Sequence, residues 1–189
     1  MSTRPGSATA LVVVDVQTGV VAQAWQRDVV VKNIAAAVER ARAQGVPVLW
    51  VQHQDDELQA GTPAWQWVPE LQPREGEALI HKGFNSSFES TPLLAELDRL
   101  GVSHLVLAGA ASNWCIRATA YGALERGFDL TLIADGHTTM DLDLGPGRCV
   151  QAASIVEDLN AAIQWLSYPG RRNTVVAAAD LDFGVPPAR

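Results

Sequence analysis

The feature that most constrains the fold is a set of apolar runs without the polar alternation of a half-exposed strand. The first is ATALVVVDVQ, residues 8–17, in which β-branched residues are frequent and apolar side chains alternate onto both faces. A strand that is apolar on both faces needs a covering layer on each side, as in a parallel sheet. Similar runs predict strands over residues 46–53, 78–82, 102–110 and 128–135.

Helical patterns follow most of these runs. Apolar residues recur at helical spacing in VVVKNIAAAVERARAQG, residues 29–45, and similar segments predict helices over residues 91–100, 113–126 and 148–166. Strands that alternate with helices need crossover connections. The chain therefore predicts a three-layer, Rossmann-like α/β fold, with a parallel sheet between two helical layers.

The length of 189 residues suits one domain, and no repeat or linker divides the chain. We therefore predict a single domain over residues 1–189. The connection over residues 54–77, rich in Pro, Gly and Trp, is longer than usual, and such loops are often functional. The tail after Pro169 supplies either a last edge strand at residues 173–178 or a cover for a neighbouring subunit.

Composition excludes several function classes. The net charge of −7 repels polyanions and no Lys/Arg cluster is present, so we expect no nucleic-acid partner. Every apolar run is far shorter than the roughly 20 residues of a membrane span, and residues 1–10 lack a signal-peptide pattern. We therefore expect no membrane association and a cytoplasmic location. Cys115 and Cys149 form no CxxC pair, which predicts two free thiols.

Three side chains of complementary chemistry stand at the ends of predicted strands. Asp15 ends the first strand, Lys82 ends the third, and Cys115 follows the fourth. In open parallel sheets, ligands bind beyond the carboxyl ends of the strands, where the strand order reverses. Each residue alone has a plain alternative: a structural ion pair or helix cap for Asp15, a solvated amine for Lys82, and core packing for Cys115. Their shared topological position favours a common site.

The surroundings of Cys115 favour a reactive thiol. Ser112 is predicted to cap a helix whose first turn contains Cys115, and the N–H groups of a first turn stabilise an anion. We therefore expect the pKa of Cys115 to lie below the ordinary value of about 8.5. Lys82 is expected to lower this pKa further, and Asp15 is expected to accept the proton.

Three motifs carry a resemblance to a known family. The chain contains D-x-Q at Asp15 to Gln17, K-x-x-x-S-x-F at Lys82 to Phe88, and GAASNWCIRAT, residues 109–119. The last stretch is similar to G-x-x-T-x-x-C-V-x-x-T, with serine and isoleucine replacing the usual threonine and valine. In these motifs and their order the chain resembles the isochorismatase-like cysteine hydrolases, which include nicotinamidases, N-carbamoylsarcosine amidohydrolases and isochorismatases.

The resemblance implies a particular fold and catalytic site. It implies a six-stranded parallel sheet in the order 3-2-1-4-5-6, with Asp15, Lys82 and Cys115 as the catalytic residues. It also implies a cis peptide bond between Ala110 and Ala111, and an oxyanion hole formed by the N–H groups of Ala111 and Cys115. No cofactor is expected. We expect the partner to be a small-molecule substrate and the chain to form a homo-oligomer, either a dimer or a tetramer.

The expected substrate contacts are Gln17, His53, Trp65, Phe88 and Trp114. An alternative for His53 is a strand-end histidine bonded to backbone, and an alternative for Trp65 is the cover of a subunit interface. Nicotinamidases typically hold a metal through an Asp-x-His motif and a further histidine. This chain has His53-Gln54-Asp55-Asp56 and no matching second histidine, so we predict that it binds no metal.

The other histidines and the segment LGPGRC receive structural interpretations. His81 and His104 are predicted to lie on the surface of strands, and His137 in a loop near the rim of the pocket. LGPGRC, residues 144–149, lacks the Lys-Ser/Thr ending of a phosphate loop, and we interpret it as the start of a helix.

The sequence predicts a cysteine hydrolase that cleaves a small amide, ureido or carbamoyl C–N bond through a covalent acyl-enzyme. One alternative is isochorismate-type vinyl ether hydrolysis, in which the aspartate acts as general acid and the cysteine is not needed. A second alternative, from another class, is a non-catalytic binding or redox-responsive protein on the same fold.

Overall fold

The computed structural model describes residues 3–184, so residues 1–2 and 185–189 of the predicted domain lie outside the described part. The strands there are β1 (Ala8–Val14), β2 (Val48–His53), β3 (Ala78–Lys82), β4 (Val102–Ala110), β5 (Asp129–Thr138), β6 (Leu142–Asp143), β7 (Cys149–Val150) and β8 (Asn173–Val176). The helices are α1 (Thr18–Val21), α2 (Arg27–Ala43), α3 (Leu93–Arg99), a π-helix (Ser112–Ile116), α4 (Arg117–Glu125), α5 (Ala152–Trp165) and a 3-10 helix (Ala178–Asp180). None of these helices is long and apolar enough to cross a membrane.

Six of the strands form one parallel sheet in the order β3-β2-β1-β4-β5-β8. The predicted α/β fold and the order 3-2-1-4-5-6 are confirmed, with β8 as the sixth strand of the sheet. The two-residue strands β6 and β7 pair with each other in a separate antiparallel ribbon.

The apolar core lies on both faces of the sheet, as the uninterrupted runs predict. Leu11 and Val13 of β1 belong to a cluster that includes Ile34 of α2. Val12 and Val14 belong to a second cluster, which includes residues of α3, α4 and α5. Full burial of such a side chain contributes roughly 1.5–3 kcal/mol to stability. Because apolar side chains lie on both faces of the sheet, both helical layers contribute to this burial.

The predicted helix start in LGPGRC is wrong. Helix α5 begins at Ala152, and residues 142–150 form the β6–β7 ribbon. The turn of this ribbon contains Gly145 and Gly147 with φ values of 98° and 70°, a conformation that glycine adopts without steric cost. Two glycines at these positions favour a hairpin over a first helical turn.

His104 is not on the surface, contrary to its prediction. Its side chain is fully buried on β4, where Nδ1 lies 3.0 Å from Thr9 Oγ1 and Nε2 lies 2.8 Å from Thr131 Oγ1. Burial lowers its pKa to about 4. β4 is central and covered on both faces, which a single strand pattern does not reveal. His81 is exposed on β3, an edge strand, as predicted.

The long connection over residues 54–77 is fastened to the segment that follows β1. The Gly19 N–H donates to the Ala64 carbonyl at 2.8 Å, and the Val68 N–H donates to the Val16 carbonyl at 3.1 Å. This loop is therefore fixed against the carboxyl end of the sheet.

Candidate active site

Asp15, Lys82 and Cys115 meet at the carboxyl edge of the sheet. Asp15 directly follows β1, Lys82 ends β3, and Cys115 lies in the π-helix after β4. β1 lies between β2 and β4, so the strand order reverses between β1 and β4. This reversal point is where open α/β sheets bind ligands.

Lys82 is the centre of the arrangement. Its Nζ lies 2.7 Å from Asp15 Oδ2 and 3.2 Å from Cys115 Sγ. It also lies 3.2 Å from His53 Nδ1 and 3.1 Å from the Phe84 carbonyl oxygen. The Lys82 side chain has no exposed surface, so the protein supplies these neighbours in place of water.

Asp15 is held in an unusual backbone conformation. Its φ of 53° is left-handed, a conformation that costs a non-glycine residue about 1–3 kcal/mol and that is enriched at functional sites. Its N–H donates to the Val51 carbonyl at 2.8 Å, which ties this conformation to β2. Apart from contacts with Lys82 and Cys115, its buried carboxylate has no hydrogen-bond partner in residues 3–184.

The prediction of a lowered thiol pKa is wrong. Burial raises the pKa of Cys115 to about 12, the Asp15 charge adds to this rise, and Lys82 opposes it. Burial also raises the pKa of Asp15 above its ordinary value, again against the effect of Lys82. The ion pair with Asp15 cancels most of the positive charge that Lys82 would offer a thiolate, and so desolvation dominates.

Cys115 lies on a π-helical turn that follows β4. The peptide bond between Ala110 and Ala111 is cis. The Ala111 carbonyl accepts hydrogen bonds from the N–H groups of Trp114 at 3.0 Å and Ile116 at 3.1 Å. Residues 112–116 are π-helical, a rare form that often occurs at functional sites, and the regular helix begins only at residue 117.

Ser112 does not cap this helix, and His137 is not in a loop at the rim, contrary to their predictions. Ser112 is fully buried, and its Oγ lies 2.8 Å from Nδ1 of His137, which is fully buried on β5. His137 Nε2 lies 3.0 Å from Asn160 Oδ1, and Asn160 Nδ2 donates to the Ala134 carbonyl at 3.0 Å. Burial lowers the pKa of His137 to about 4. A buried serine next to a histidine forms this link instead of a cap.

Two of the expected substrate contacts lie in the interior. Gln17 is fully buried, donates to the His53 carbonyl at 2.9 Å and to the Trp65 carbonyl at 2.9 Å, and accepts from the His53 N–H at 2.9 Å. Phe88 is 6% exposed and stacks on Phe128 with ring centroids 6.0 Å apart. Gln17 therefore joins the end of β2 to the loop over residues 54–77, and Phe88 packs in the apolar core.

The accessible side of the thiol has other neighbours. Trp114, next to Cys115, is 52% exposed and Phe84 is 57% exposed. Asn85 Oδ1 lies 4.0 Å from Cys115 Sγ, and sequence reasoning missed this residue. Asn85 could have been found from the sequence, because it lies inside the motif that runs from Lys82 to Phe88. Asn160 was also missed, and nothing in its local sequence marks it.

Trp65 and His53 contact protein groups. Trp65 stacks on His81, with ring centroids 5.6 Å apart. His53 Nε2 lies 2.9 Å from Asp55 Oδ2, and Nδ1 faces Lys82. Within residues 3–184, no three His, Cys, Asp or Glu side chains are grouped so that they could hold a metal ion.

The fold and the site together define a Rossmann-like α/β protein with a buried carboxylate, ammonium and thiol at its topological switch point. Residues 9–156 match the family model of the isochorismatase domain. The chain belongs to the isochorismatase family.

Similar proteins carry hydrolase names. A streptothricin hydrolase from Streptomyces noursei is 36% identical over 146 residues, which is 73% of this chain and 57% of that protein. The ureidoacrylate amidohydrolase RutB from Klebsiella variicola is 30% identical over 198 residues, with 79% and 82% covered. The chain thus spans a little over half the length of the streptothricin hydrolase. An isochorismatase structure from Pseudomonas putida KT2440 superposes with a TM-score of 0.83 at 27% identity, covering 94% of this chain and 93% of that one.

Proposed function

We propose that the protein is a cysteine hydrolase that cleaves an amide, ureido or carbamoyl C–N bond of a small molecule through a covalent acyl-enzyme. The observation that supports this most is the position of Lys82 Nζ, between the Asp15 carboxylate at 2.7 Å and the Cys115 sulfur at 3.2 Å. A positively charged ammonium group in this position stabilises negative charge on either neighbour.

Activation of the thiol is a proton transfer within the site. With Asp15 and Lys82 charged and the thiol neutral, the net charge of the three groups is zero. Loss of the thiol proton to water would leave a net negative charge in a buried site, which is costly. Transfer to Asp15 keeps the net charge at zero, and the raised pKa of Asp15 favours this route.

The remaining steps follow from this transfer. Cys115 Sγ attacks the carbonyl carbon, and the N–H groups of Ala111 and Cys115 hold the oxyanion that forms. The C–N bond breaks as Asp15 returns the proton to the leaving nitrogen. Asp15 then takes a proton from a water molecule, the resulting hydroxide attacks the thioester carbonyl, and the C–S bond breaks as Asp15 returns the proton to the sulfur. This sequence requires no cofactor.

The names of similar proteins support the bond type. One relative is named an amidohydrolase of ureidoacrylate, and another a hydrolase of streptothricin. The vinyl ether alternative needs the aspartate but not the thiol, so the contact between Lys82 and Cys115 favours the thiol route. A non-catalytic role gives no reason to bury a carboxylate, an ammonium group and a thiol against one another.

The test compares Cys115→Ala with Cys149→Ala, because Cys149 is an exposed thiol on the β6–β7 ribbon. Purified proteins are incubated with a panel of small amides, ureas and carbamates, and reactions are quenched in acid for intact-mass measurement. We expect the parent protein and Cys149→Ala to hydrolyse the same compounds and to carry an acyl adduct, mapped to Cys115. Hydrolysis that survives in Cys115→Ala would refute the covalent route.

A further inference from the structure

Lys82 has more hydrogen-bond partners than hydrogen atoms. Its ammonium group carries three hydrogens. Four acceptors surround it: Asp15 Oδ2 at 2.7 Å, the Phe84 carbonyl at 3.1 Å, His53 Nδ1 at 3.2 Å and Cys115 Sγ at 3.2 Å. In the proposed mechanism two of these, Asp15 and Cys115, exchange a proton. The other two are neutral and stay unchanged during that transfer.

The partners of His53 assign its tautomer. Asp55 Oδ2 lies 2.9 Å from Nε2, and a hydrogen bond from His53 holds the pKa of Asp55 below its ordinary value, so this carboxylate is charged and accepts. Nε2 therefore carries the hydrogen, and Nδ1 presents its lone pair to Lys82. A doubly protonated ring would place a second cation 3.2 Å from the Lys82 ammonium, which is repulsive.

His53 is fixed both at its backbone and at Nε2 of its ring. The His53 backbone bonds in both directions to the side-chain amide of Gln17. Asp55 is fixed in turn, because its Oδ1 accepts from the N–H groups of Glu57 at 2.9 Å and Leu58 at 2.7 Å. His53 is therefore pre-organised to hold a neighbour in place, and its Nδ1 is directed at Lys82, so it is not available to a ligand.

We infer that His53, oriented by Asp55, is a positioning residue that holds the Lys82 ammonium between Asp15 and Cys115. It accepts one hydrogen bond from Lys82, and the Phe84 carbonyl accepts another. Lys82 then shifts its remaining hydrogen from Asp15 towards the sulfur as charge moves, without moving its nitrogen. This role rests on the proposed function, because the group that Lys82 stabilises is the thiolate of Cys115.

The experiment replaces one nitrogen of the ring at a time. In His53→Asn the amide oxygen takes about the place of Nδ1, whereas in His53→Gln it takes about the place of Nε2; His53→Ala removes both. The rate of alkylation of Cys115 by iodoacetamide is measured at one pH without substrate and assigned by peptide mapping. Thermal unfolding checks that each variant is folded.

We expect His53→Ala and His53→Gln to alkylate Cys115 about tenfold or more slowly than the parent, the size of one hydrogen bond to a charged group. We expect His53→Asn to recover most of the rate. A residue that only contacts substrate would leave all rates unchanged, because no substrate is present. A general loss of packing would slow Asn as much as Ala. Either result would overturn the positioning role.

The carboxylate provides a second, milder test, since Asp55 is 45% exposed and its replacement should not unfold the protein. We expect Asp55→Ala to slow alkylation and the neighbouring Asp56→Ala, which removes the same charge without the ring contact, to leave the rate unchanged. Equal rates in the two variants would contradict the role of Asp55.

The outcomes distinguish failure of the positioning role from failure of the proposed function. If Cys115 of the parent protein forms an acyl-enzyme but Cys115 of the His53 variants is alkylated at the parent rate, only the positioning role fails. If Cys115 of the folded parent is inert to alkylation and to acylation, both proposals fail.

Discussion

At the scale of single residues, the site couples three ionisable groups so closely that none can be interpreted alone. Burial raises the pKa of the Cys115 thiol, the charge of Asp15 raises it further, and Lys82 lowers it. The resting site therefore holds a neutral thiol beside an ion pair. Sequence alone placed the three residues together but could not give this state, because burial decides it and burial is not visible in three short motifs.

This coupling predicts opposite effects of one substitution on reactivity and turnover. In Asp15→Asn, the negative charge is gone and Lys82 stays, so the apparent pKa of Cys115 should fall and alkylation at neutral pH should become faster. Turnover should be lost, because no group accepts the thiol proton. The pH dependence of iodoacetamide alkylation measures the first effect.

Lys82→Met provides the matched control for this prediction, since it removes the positive charge and leaves the carboxylate. The apparent pKa of Cys115 should then rise above that of the parent protein. Slower alkylation in Asp15→Asn than in the parent would show that Asp15 does not oppose ionisation of the thiol.

At the scale of secondary-structure elements, buried histidines join parts of the chain that are distant in sequence. His104 links β4 to Thr9 on β1 and Thr131 on β5. His137 links β5 to Ser112 of the π-helix that carries Cys115, and to α5. The apolar runs predicted these strands and helices. The histidine links depend on which faces of the sheet the helices cover, which the runs do not show, and so His104 was wrongly predicted at the surface and His137 at the rim of the pocket.

The two buried histidines predict a loss of stability in acid. Their folded-state pKa values of about 4 lie below the ordinary 6.5, so the unfolded chain binds protons first as the pH falls. Their contribution is complete above about pH 6.5 and decreases towards pH 4, by roughly 2 kcal/mol per histidine at pH 5. Guanidinium unfolding at pH 7 and pH 5 measures this. His104→Gln should reduce the difference, whereas His81→Gln, on the exposed edge strand, should not.

Asn160 is predicted to stabilise the link that runs from α5 through His137 to the π-helix that carries Cys115. Asn160→Ala leaves His137 Nε2 without its 3.0 Å partner in a buried position. We expect a loss of about 1–3 kcal/mol in the free energy of unfolding. Denaturant unfolding measures it, with Glu157→Ala on the exposed face of the same helix as the control. Equal stability of the two variants would mean that Asn160 has no such role.

At the scale of the whole molecule, strand order brings the ends of β1, β3 and β4 to one edge. The sequence predicted this arrangement well, because buried parallel strands are uninterrupted apolar runs and the motifs lie at their ends. It failed where small residues decide the local geometry. Residues 142–150 form the β6–β7 ribbon and not the predicted helix start, because Gly145 and Gly147 adopt positive φ. Ser112 lies in a π-helix and does not form the predicted cap.

Assembly is a proposal at this scale: we propose a homo-oligomer, either a dimer or a tetramer. Trp165, at the end of α5, is 78% exposed, and Leu79, on the edge strand β3, is 52% exposed. Large exposed apolar side chains are candidates for burial between subunits. Size-exclusion chromatography with light scattering should give a mass of two or four chains, and the mass of one chain at all concentrations would contradict the proposal.

The complete enclosure of Lys82 also has a practical consequence for labelling. The chain contains two lysines, and the other one, Lys32, is exposed on α2. Dyes and surfaces that couple to amines need an accessible, uncharged nitrogen, which Lys82 does not offer, because its side chain has no exposed surface. Among the side chains, amine-reactive reagents should therefore couple to Lys32. The protein thus provides a single accessible side-chain amine for coupling to fluorophores or surfaces, and its use leaves the three reacting groups chemically intact.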